Sequence, residues 1–333
     1  MSSSPPSELL RFADVEAAAE RLAGHAVLTP LVESPLLNER LGARVLVKAE
    51  PLQRTGSFKF RGAYNNISQL GDAERKHGVV AYSSGNHAQA TAAAARQAGI
   101  DAVMVMPDDA PRIKIDNTRA WGAEVVLYER ASRAREEVAK QIAAQRGATV
   151  VPPFDHPWTI AGQGTVGLEI AAQAAALGAE LDAVLVPCSG GGLIAGCALA
   201  LAERAPGAAV YAVEPEGFDD TARSLAAGSR QEARPGARSF CDALLAPTPG
   251  ELTFAINREH LAGGLAVSDD EVAQAMRLAF VYLKLVIEPG GATALAALAS
   301  GKLDCRGKTV AVVASGGNVD AETFRDAITR AGG

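Results

Sequence analysis

The chain has 333 residues, 48% of them hydrophobic and 21% charged, with a formal net charge of −6. That length and apolar content exclude a disordered chain and suffice for one large domain or two smaller ones around real cores. A net negative charge, with Lys and Arg spread among acids, gives no electrostatic footing for a DNA or RNA partner.

The N-terminal Met1-Ser2-Ser3-Ser4-Pro5-Pro6-Ser7-Glu8 lacks the basic stretch and apolar run of a secretory signal. Val79-Val80-Ala81-Tyr82 reads as a strand, 87–97 as a helix, and 102–106 as the next strand, in which Met104 and Met106 are packing residues. A helix over 112–121, a strand over 124–127, a helix over 133–145 and a strand over 149–151 follow. Alternation at this spacing argues for a parallel sheet with right-handed crossovers, a doubly wound architecture.

The prolines of Pro152-Pro153-Phe154-Asp155-His156-Pro157 punctuate the chain, and a second unit begins there. It is expected to hold a helix over 165–177, a strand over 183–186, a glycine loop, a helix over 193–202 and a strand over 210–213. A last strand over 309–314 ends in Ser315-Gly316-Gly317-Asn318, with no regulatory domain expected beyond Asn318. Apolar stretches such as 311–314 are too short for a membrane span. Cys188, Cys197, Cys241 and Cys305 are scattered, with no close CxxC pair and no Cys/His cluster. They read as free thiols in a reducing cytoplasm.

Chemistry concentrates in a few segments. In Thr55-Gly56-Ser57-Phe58-Lys59-Phe60-Arg61-Gly62-Ala63 a lysine sits between apolar neighbours. In a partly dry site such a lysine loses its proton easily and attacks an aldehyde; on a plain strand it would carry its ammonium out to solvent. Ser189-Gly190-Gly191-Gly192-Leu193 follows a strand and opens a helix. Its glycines let backbone N–H groups approach an anion, so a phosphate belongs here, although a packing turn has the same composition. The loop lacks the lysine of an ATP-binding P-loop and the G-x-G-x-x-G dinucleotide fingerprint. Ser83-Ser84-Gly85-Asn86-His87-Ala88-Gln89-Ala90 forms a polar strand-to-helix turn with N–H groups suited to a carboxylate. Glu214-Pro215-Glu216-Gly217-Phe218-Asp219-Asp220 crowds four acids behind an apolar strand; oxygen ligands of this kind suit Mg²⁺, Mn²⁺ or Ca²⁺, or simply a solvated loop.

Together the segments around Lys59, Ser83–His87 and the glycine loop resemble the fold type II pyridoxal-phosphate enzymes, and within them the threonine and serine ammonia-lyases and the serine racemases. The resemblance runs from about Leu28 to Val319. It implies an α/β fold of two doubly wound parallel-sheet domains with the active site between them. Residues 1–54 and 156–333 would form the large cofactor-binding domain, and 55–155 a smaller inserted one.

Carried residue by residue, the resemblance makes Lys59 the Schiff-base lysine and then the base for the α-proton. The phosphate goes to Ser189, Gly190, Gly191, Gly192 and Leu193, where Ser189 replaces the family's usual glycine; Asn86 stands beside the ring hydroxyl and Ser315 at the pyridine nitrogen. A hydroxyl at that nitrogen cannot keep it protonated as a carboxylate would, which favours elimination. Ser83, Ser84, Asn86 and His87 would receive the substrate. Ser84 stands where many threonine ammonia-lyases have Ala and where serine racemases and hydroxyaspartate ammonia-lyases have Ser. Arg135 falls near an arginine position of racemases and could take a second carboxylate, or be a solvated helix arginine. Glu214, Asp220 and the Phe218 carbonyl match the family's divalent-cation site. Phe154, where racemases tend to have Asn, looks like the lyase version. The sequence therefore favours a cytoplasmic L-threonine/L-serine ammonia-lyase, with a hydroxyaspartate ammonia-lyase or serine racemase as the alternative, and the resemblance implies a homodimer.

Overall fold

Two sheets organise the chain. The computed structural model describes residues 10–129 and 135–330. In chain order come helix α1 (Phe12–Leu22), strand β1 (Leu31–Glu33), α2 (Pro35–Leu41), β2 (Arg44–Ala49) and α3 (Lys59–Ile67). Next are α4 (Asp72–His77), β3 (Val79–Tyr82), α5 (Asn86–Ala98), β4 (Ala102–Pro107), α6 (Arg112–Ala120), β5 (Glu124–Tyr128), α7 (Arg135–Arg146) and β6 (Thr149–Val150). Then follow α8 (Pro157–Ala176), β7 (Ala183–Pro187), α9 (Gly192–Arg204), β8 (Ala209–Pro215), α10 (Asp220–Ala227), α11 (Glu251–His260) and β9 (Gly263–Val267). Helices α12 (Asp269–Leu278) and α13 (Pro289–Ala299), strand β10 (Thr309–Ala314) and α14 (Ala321–Arg330) complete the described chain.

One sheet has the order β1-β2-β10-β7-β8-β9 and the other β5-β4-β3-β6. All neighbours are parallel except β1, which pairs antiparallel with β2 at one edge. Strands β2, β7 and β10 are buried along nearly their whole length. Unbroken Val/Ala/Leu runs of this kind are what parallel strands need when helices cover both faces. The doubly wound α/β architecture expected from the sequence is thus present in both sheets. Met104 and Met106 are fully buried in the core of the smaller one, and all four cysteines are free and buried.

The expected helix over 165–177 begins instead at Pro157. Pro157 occupies the first helical position, and the His156 side chain caps it by accepting from the Trp158 amide at 3.3 Å. Gly162, Gly164 and Gly167 lower helix propensity and hide this half from a sequence reading. Their value is close approach. A Cβ on Gly162 would stand 2.5 Å from the Arg61 carbonyl oxygen, and one on Gly164 2.7 Å from that of Gly196. Helix α8 can therefore pack backbone-to-backbone between α3 and α9. The first residues of the helix expected over 133–145 lie outside the described residues, as does the segment 1–8.

Helix α3 faces two ways. Phe60, Ala63 and Ile67 enter the core of the smaller sheet, while its polar side binds the larger unit. The fully buried Arg61 meets Glu50 at 2.8 Å and Glu169 at 2.5 Å, and Lys48 meets the same Glu169 at 2.6 Å. Burial alone would discharge Glu50, but the Arg61 guanidinium holds its pKa below the ordinary carboxylate value.

Candidate active site

The end of β10 pins the chain that leads into α3. Ser57 bridges to Gly316, and the Phe58 amide donates to the Ser315 carbonyl at 3.1 Å. Gly56 makes the turn before it with φ of 72°, and a side chain there would strike Asn318. Lys59 consequently opens α3 beside Ser315, the last strand's exit. Its Nζ donates to the Pro153 carbonyl at 2.7 Å and lies 5.0 Å from the centre of the Phe58 ring. Burial, then the charge of Arg135, bring its pKa down to about 7. Only one of the flanking aromatics faces the amine. Phe60 turns away into the smaller core, its ring 5.7 Å from that of Tyr64, because consecutive helical residues point in different directions.

The glycine loop joins β7 to α9. Gly191 has φ of 92° and caps the helix, and a Cβ on Gly190 would lie 2.5 Å from the Phe154 ring. The loop thus presents bare backbone at a helix N-terminus, which is an anion cradle. Ser189 keeps its amide in that loop while its hydroxyl oxygen accepts from the Ala246 amide at 3.1 Å. The hydroxyl of Ser189 thereby ties the cradle to the wall formed by 242–246.

Lys59, Ser83, Ser84, Asn86, His87, Arg135, Gly190, Gly191, Gly192, Leu193, Ser189 and Ser315 all line one cavity between the two sheets. Ser83 turns the chain into α5, its hydroxyl accepting from the Gly85 amide at 3.1 Å. Asn86 is held at both ends: Nδ2 donates to Glu288 at 2.5 Å, and Oδ1 accepts from Asn318 at 2.8 Å. His87 is buried with Nε2 2.9 Å from the Val151 carbonyl, which makes Nε2 the protonated nitrogen. Burial, with the positive charges of Lys59 and Arg135, pushes its pKa down to about 3, so the ring is neutral at pH 7. The Arg135 guanidinium lies 5.7 Å from the centre of the Tyr82 ring.

Three further residues of the cavity region escaped the sequence reading. Buried Lys114 donates to Asp242 at 2.7 Å and to Glu288 at 3.3 Å. Burial works to lower the Lys114 pKa, but Glu288 and Asp242 more than offset it. Their separations from Lys114 in sequence are 128 and 174 residues, so no local pattern could have announced the cluster. The one signal near at hand was Gly85, whose missing side chain leaves room for the Lys114 stem.

In the acidic segment, backbone amides reach one of the carboxylates expected to hold a cation. Glu214 is the penultimate residue of β8, and its two carboxylate oxygens accept from the Thr221 and Ala222 amides at 2.9 Å each. These N–H groups at the start of α10 compensate the buried Glu214 carboxylate in part. Asp220 lies beside it with Oδ2 buried and without a protein partner. Burial, and for Glu214 also the neighbouring Asp220, raise Glu214 to about 8 and Asp220 to about 7. Among the described residues no group of three or more His, Cys, Asp or Glu side chains could hold a metal.

A lysine with a lowered pKa facing a backbone anion cradle, across a cleft between two parallel sheets, suits an aldehyde that carries a phosphate, and the glycines leave it room. The chain belongs to the pyridoxal-phosphate-dependent enzymes: the family model described as "Pyridoxal-phosphate dependent enzyme" matches residues 22–316. Its place within them is the fold type II group that includes the threonine/serine ammonia-lyases and serine racemases. It is 44% identical to an L-threo-3-hydroxyaspartate ammonia-lyase of Pseudomonas sp over 95% of this chain and 98% of that protein. Among solved structures it resembles maize serine racemase, with a TM-score of 0.90 at 35% identity over 97% of this chain and 98% of that one. It also resembles a threonine deaminase from T.th., with a TM-score of 0.87 at 45% identity over 92% and 98%. The protein is a pyridoxal-phosphate-dependent enzyme of the lyase-or-racemase class acting on small amino acids. No helix among the described residues is long and apolar enough to cross a membrane.

Proposed function

We propose that the chain is an ammonia-lyase for 3-hydroxyaspartate, a β-hydroxy amino acid with a second carboxylate, in place of the L-threonine/L-serine activity favoured by the sequence alone. Arg135 carries this reading. It opens α7, lines the same cavity as Lys59 and Ser84, and its charge reaches Lys59. A guanidinium receives a carboxylate through two parallel N–H bonds; the methyl of threonine or the hydrogen of serine offers it no partner. The hydroxyaspartate ammonia-lyase of Pseudomonas sp, 44% identical, supports the same substrate.

In this reading the amides of 189–193 bind the cofactor phosphate, Lys59 holds its aldehyde, Asn86 stands at the ring hydroxyl and Ser315 at the ring nitrogen. The bound cofactor supplies an electron sink for the charge left at the substrate α-carbon. Lys59, with a pKa of about 7, carries enough neutral amine at pH 7 to take the α-proton. Ser83, Ser84, Asn86 and the amides opening α5 receive the α-carboxylate; His87, being neutral and deep, orients that turn. The net reaction removes the amino group as ammonia and leaves oxaloacetate. Incubation with L-threo-3-hydroxyaspartate, L-threonine and L-serine, with each 2-oxo acid and ammonia quantified, tests it: kcat/KM should be greatest for hydroxyaspartate. Arg135→Met should depress that value at least tenfold more than the value for serine, since a charge-assisted pair contributes about 1.5–3 kcal/mol and any rise in the Lys59 pKa burdens both substrates alike. Equal losses on both substrates would remove Arg135 from the specificity role.

Ser84 favours serine racemisation as a second reading, because the residue lines the cavity and a hydroxyl on the face opposite Lys59 would serve as a proton donor. The same proposal assigns 1–54 and 156–333 to a large domain and 55–155 to a smaller one. This is supported by the six-stranded sheet drawing its strands from 31–49 and 183–314 and the four-stranded sheet from 79–150. It further takes the chain as a cytoplasmic homodimer, with a divalent cation held by Glu214, Asp220 and the Phe218 carbonyl. The orphaned Asp220 Oδ2 supports the cation.

A further inference from the structure

Behind the glycine cradle lies a carboxamide with no work to do. Asn257, on α11, is completely buried. Neither its Nδ2 nor its Oδ1 has a hydrogen-bond partner in the protein. An amide buried in this state is costly at both ends, and native interiors rarely keep one without a role. Its position is specific: a Cβ built on Gly191 would stand 2.8 Å from Asn257 Nδ2. Gly191 is the residue with φ of 92° at the crown of the loop.

The rest of α11 already grips that loop. Thr253 Oγ1 donates to the Gly190 carbonyl at 2.7 Å, and the Gly250 amide donates to the same carbonyl at 3.2 Å. Asp155 in turn caps α11, accepting from the Glu251 and Thr253 amides at 2.9 and 3.1 Å. On the other side of the loop a second buried carboxamide waits: Gln163 Oε1 has no protein partner and lies 2.8 Å from the Cβ position of Gly192. One wholly idle amide and, on Gln163, one idle carbonyl oxygen whose Nε2 already donates to Pro153 at 3.3 Å therefore lie against the two glycines of the anion cradle.

We propose that Asn257 is a positioning residue of the phosphate cradle, its carboxamide hydrogen-bonding the peptide groups at Gly190 and Gly191 when the loop closes on the cofactor phosphate. The anion fixes the orientation of those peptides from the front, and Asn257 fixes it from behind. Its atoms lie on the Cβ side of Gly191, and it does not line the cavity, so it acts through the loop and does not touch the cofactor.

The inference predicts effects of opposite sign in the loaded and stripped protein. Asn257→Leu keeps roughly the same volume and removes both orphaned polar atoms. In full-length protein stripped of cofactor, the thermal midpoint should stay the same or rise. Titrated with pyridoxal phosphate, and separately with inorganic phosphate, the variant should bind about tenfold more weakly, the loss expected for one good hydrogen bond. A pyridoxal-phosphate affinity within twofold of the parent would overturn the proposal. So would a fall in the stripped protein's midpoint alongside the affinity, because that pattern marks a residue of general structural use. If Asn257→Leu does not fold, Asn257→Asp preserves the shape and exchanges the amide donor for an acceptor. It should weaken both ligands in the same assay, and unchanged affinity there overturns the proposal equally.

Discussion

The lowered pKa of Lys59 can be measured without any turnover. With a pKa of about 7, about three quarters of the Lys59 side chains are neutral at pH 7.5. A lysine at its ordinary value is neutral in about one case in a thousand there. The free amine is thus enriched several-hundred-fold, and a limiting dose of acetic anhydride should label Lys59 far ahead of exposed lysines in the cofactor-stripped protein. Peptide mass spectrometry across pH should give a modification midpoint near 7. Arg135→Met removes the second cause of the shift and leaves burial, the larger one, so the midpoint should rise by less than half of the distance to the ordinary lysine value. The same shift has a stability signature. The folded state holds fewer protons than the unfolded one between the two pKa values, so the contribution of this group to stability increases as pH rises from about 7 to 10.5. A wild-type midpoint above pH 10, or labelling of Lys59 no faster than that of surface lysines, would refute the reasoning.

Lys114→Met leaves Glu288 buried without its cation and should destabilise the protein by about 3–5 kcal/mol in denaturant unfolding. Adding Glu288→Gln should restore much of that loss, and additive losses would separate the two residues. Gly190→Ala drives a methyl into the Phe154 ring at 2.5 Å; it should weaken pyridoxal phosphate in equilibrium titration and lower stability by about 1–3 kcal/mol. Calorimetric titration of chelated protein with Mg²⁺, Mn²⁺ and Ca²⁺ should show saturable binding that disappears in Asp220→Ala, and no heat in the parent leaves Glu214 as a helix cap alone. Ser84→Ala should keep most elimination and lose whatever D-serine the parent forms from L-serine in deuterated solvent. Retained racemisation in the variant excludes Ser84 as the second proton donor.

The parts of the fold legible in the sequence are those with strong local periodicity. The strands at 79–82 and 309–314 can be read at their observed limits because Val/Ala runs ending at polar or glycine residues are what a covered parallel strand requires. The first half of α8 is not legible, since its glycines argue against helix until the neighbouring backbones are in place. The cavity is legible where a residue's role depends on its own backbone neighbourhood, as with Lys59 and the glycine cradle. It is illegible where the partner lies far along the chain. Lys114 looks like any helical lysine until Asp242 and Glu288 arrive, and nothing local to Glu214 announces that α10 turns its N-terminal amides toward it. Arg135 shows the type of group but gives no sign of which ligand it faces.

The buried charges around α3 bear on how the molecule comes apart. Arg61 contributes its carbonyl to the crossing with Gly162 and its guanidinium to Glu50 and Glu169, while Phe60 and Ile67 belong to the other core. Melting either sheet unit alone would strand part of this set: a guanidinium without carboxylates, or Glu50 and Lys48 facing each other across an emptied groove. Each such split forfeits the charge-assisted pairs that hold these groups in the folded groove. Half-unfolded states are thereby raised in free energy, which predicts a single cooperative transition for the two units despite their separate cores. The lysine that opens α3 sits at that seam, so on this reasoning its lowered pKa should vanish together with the global transition and not before it.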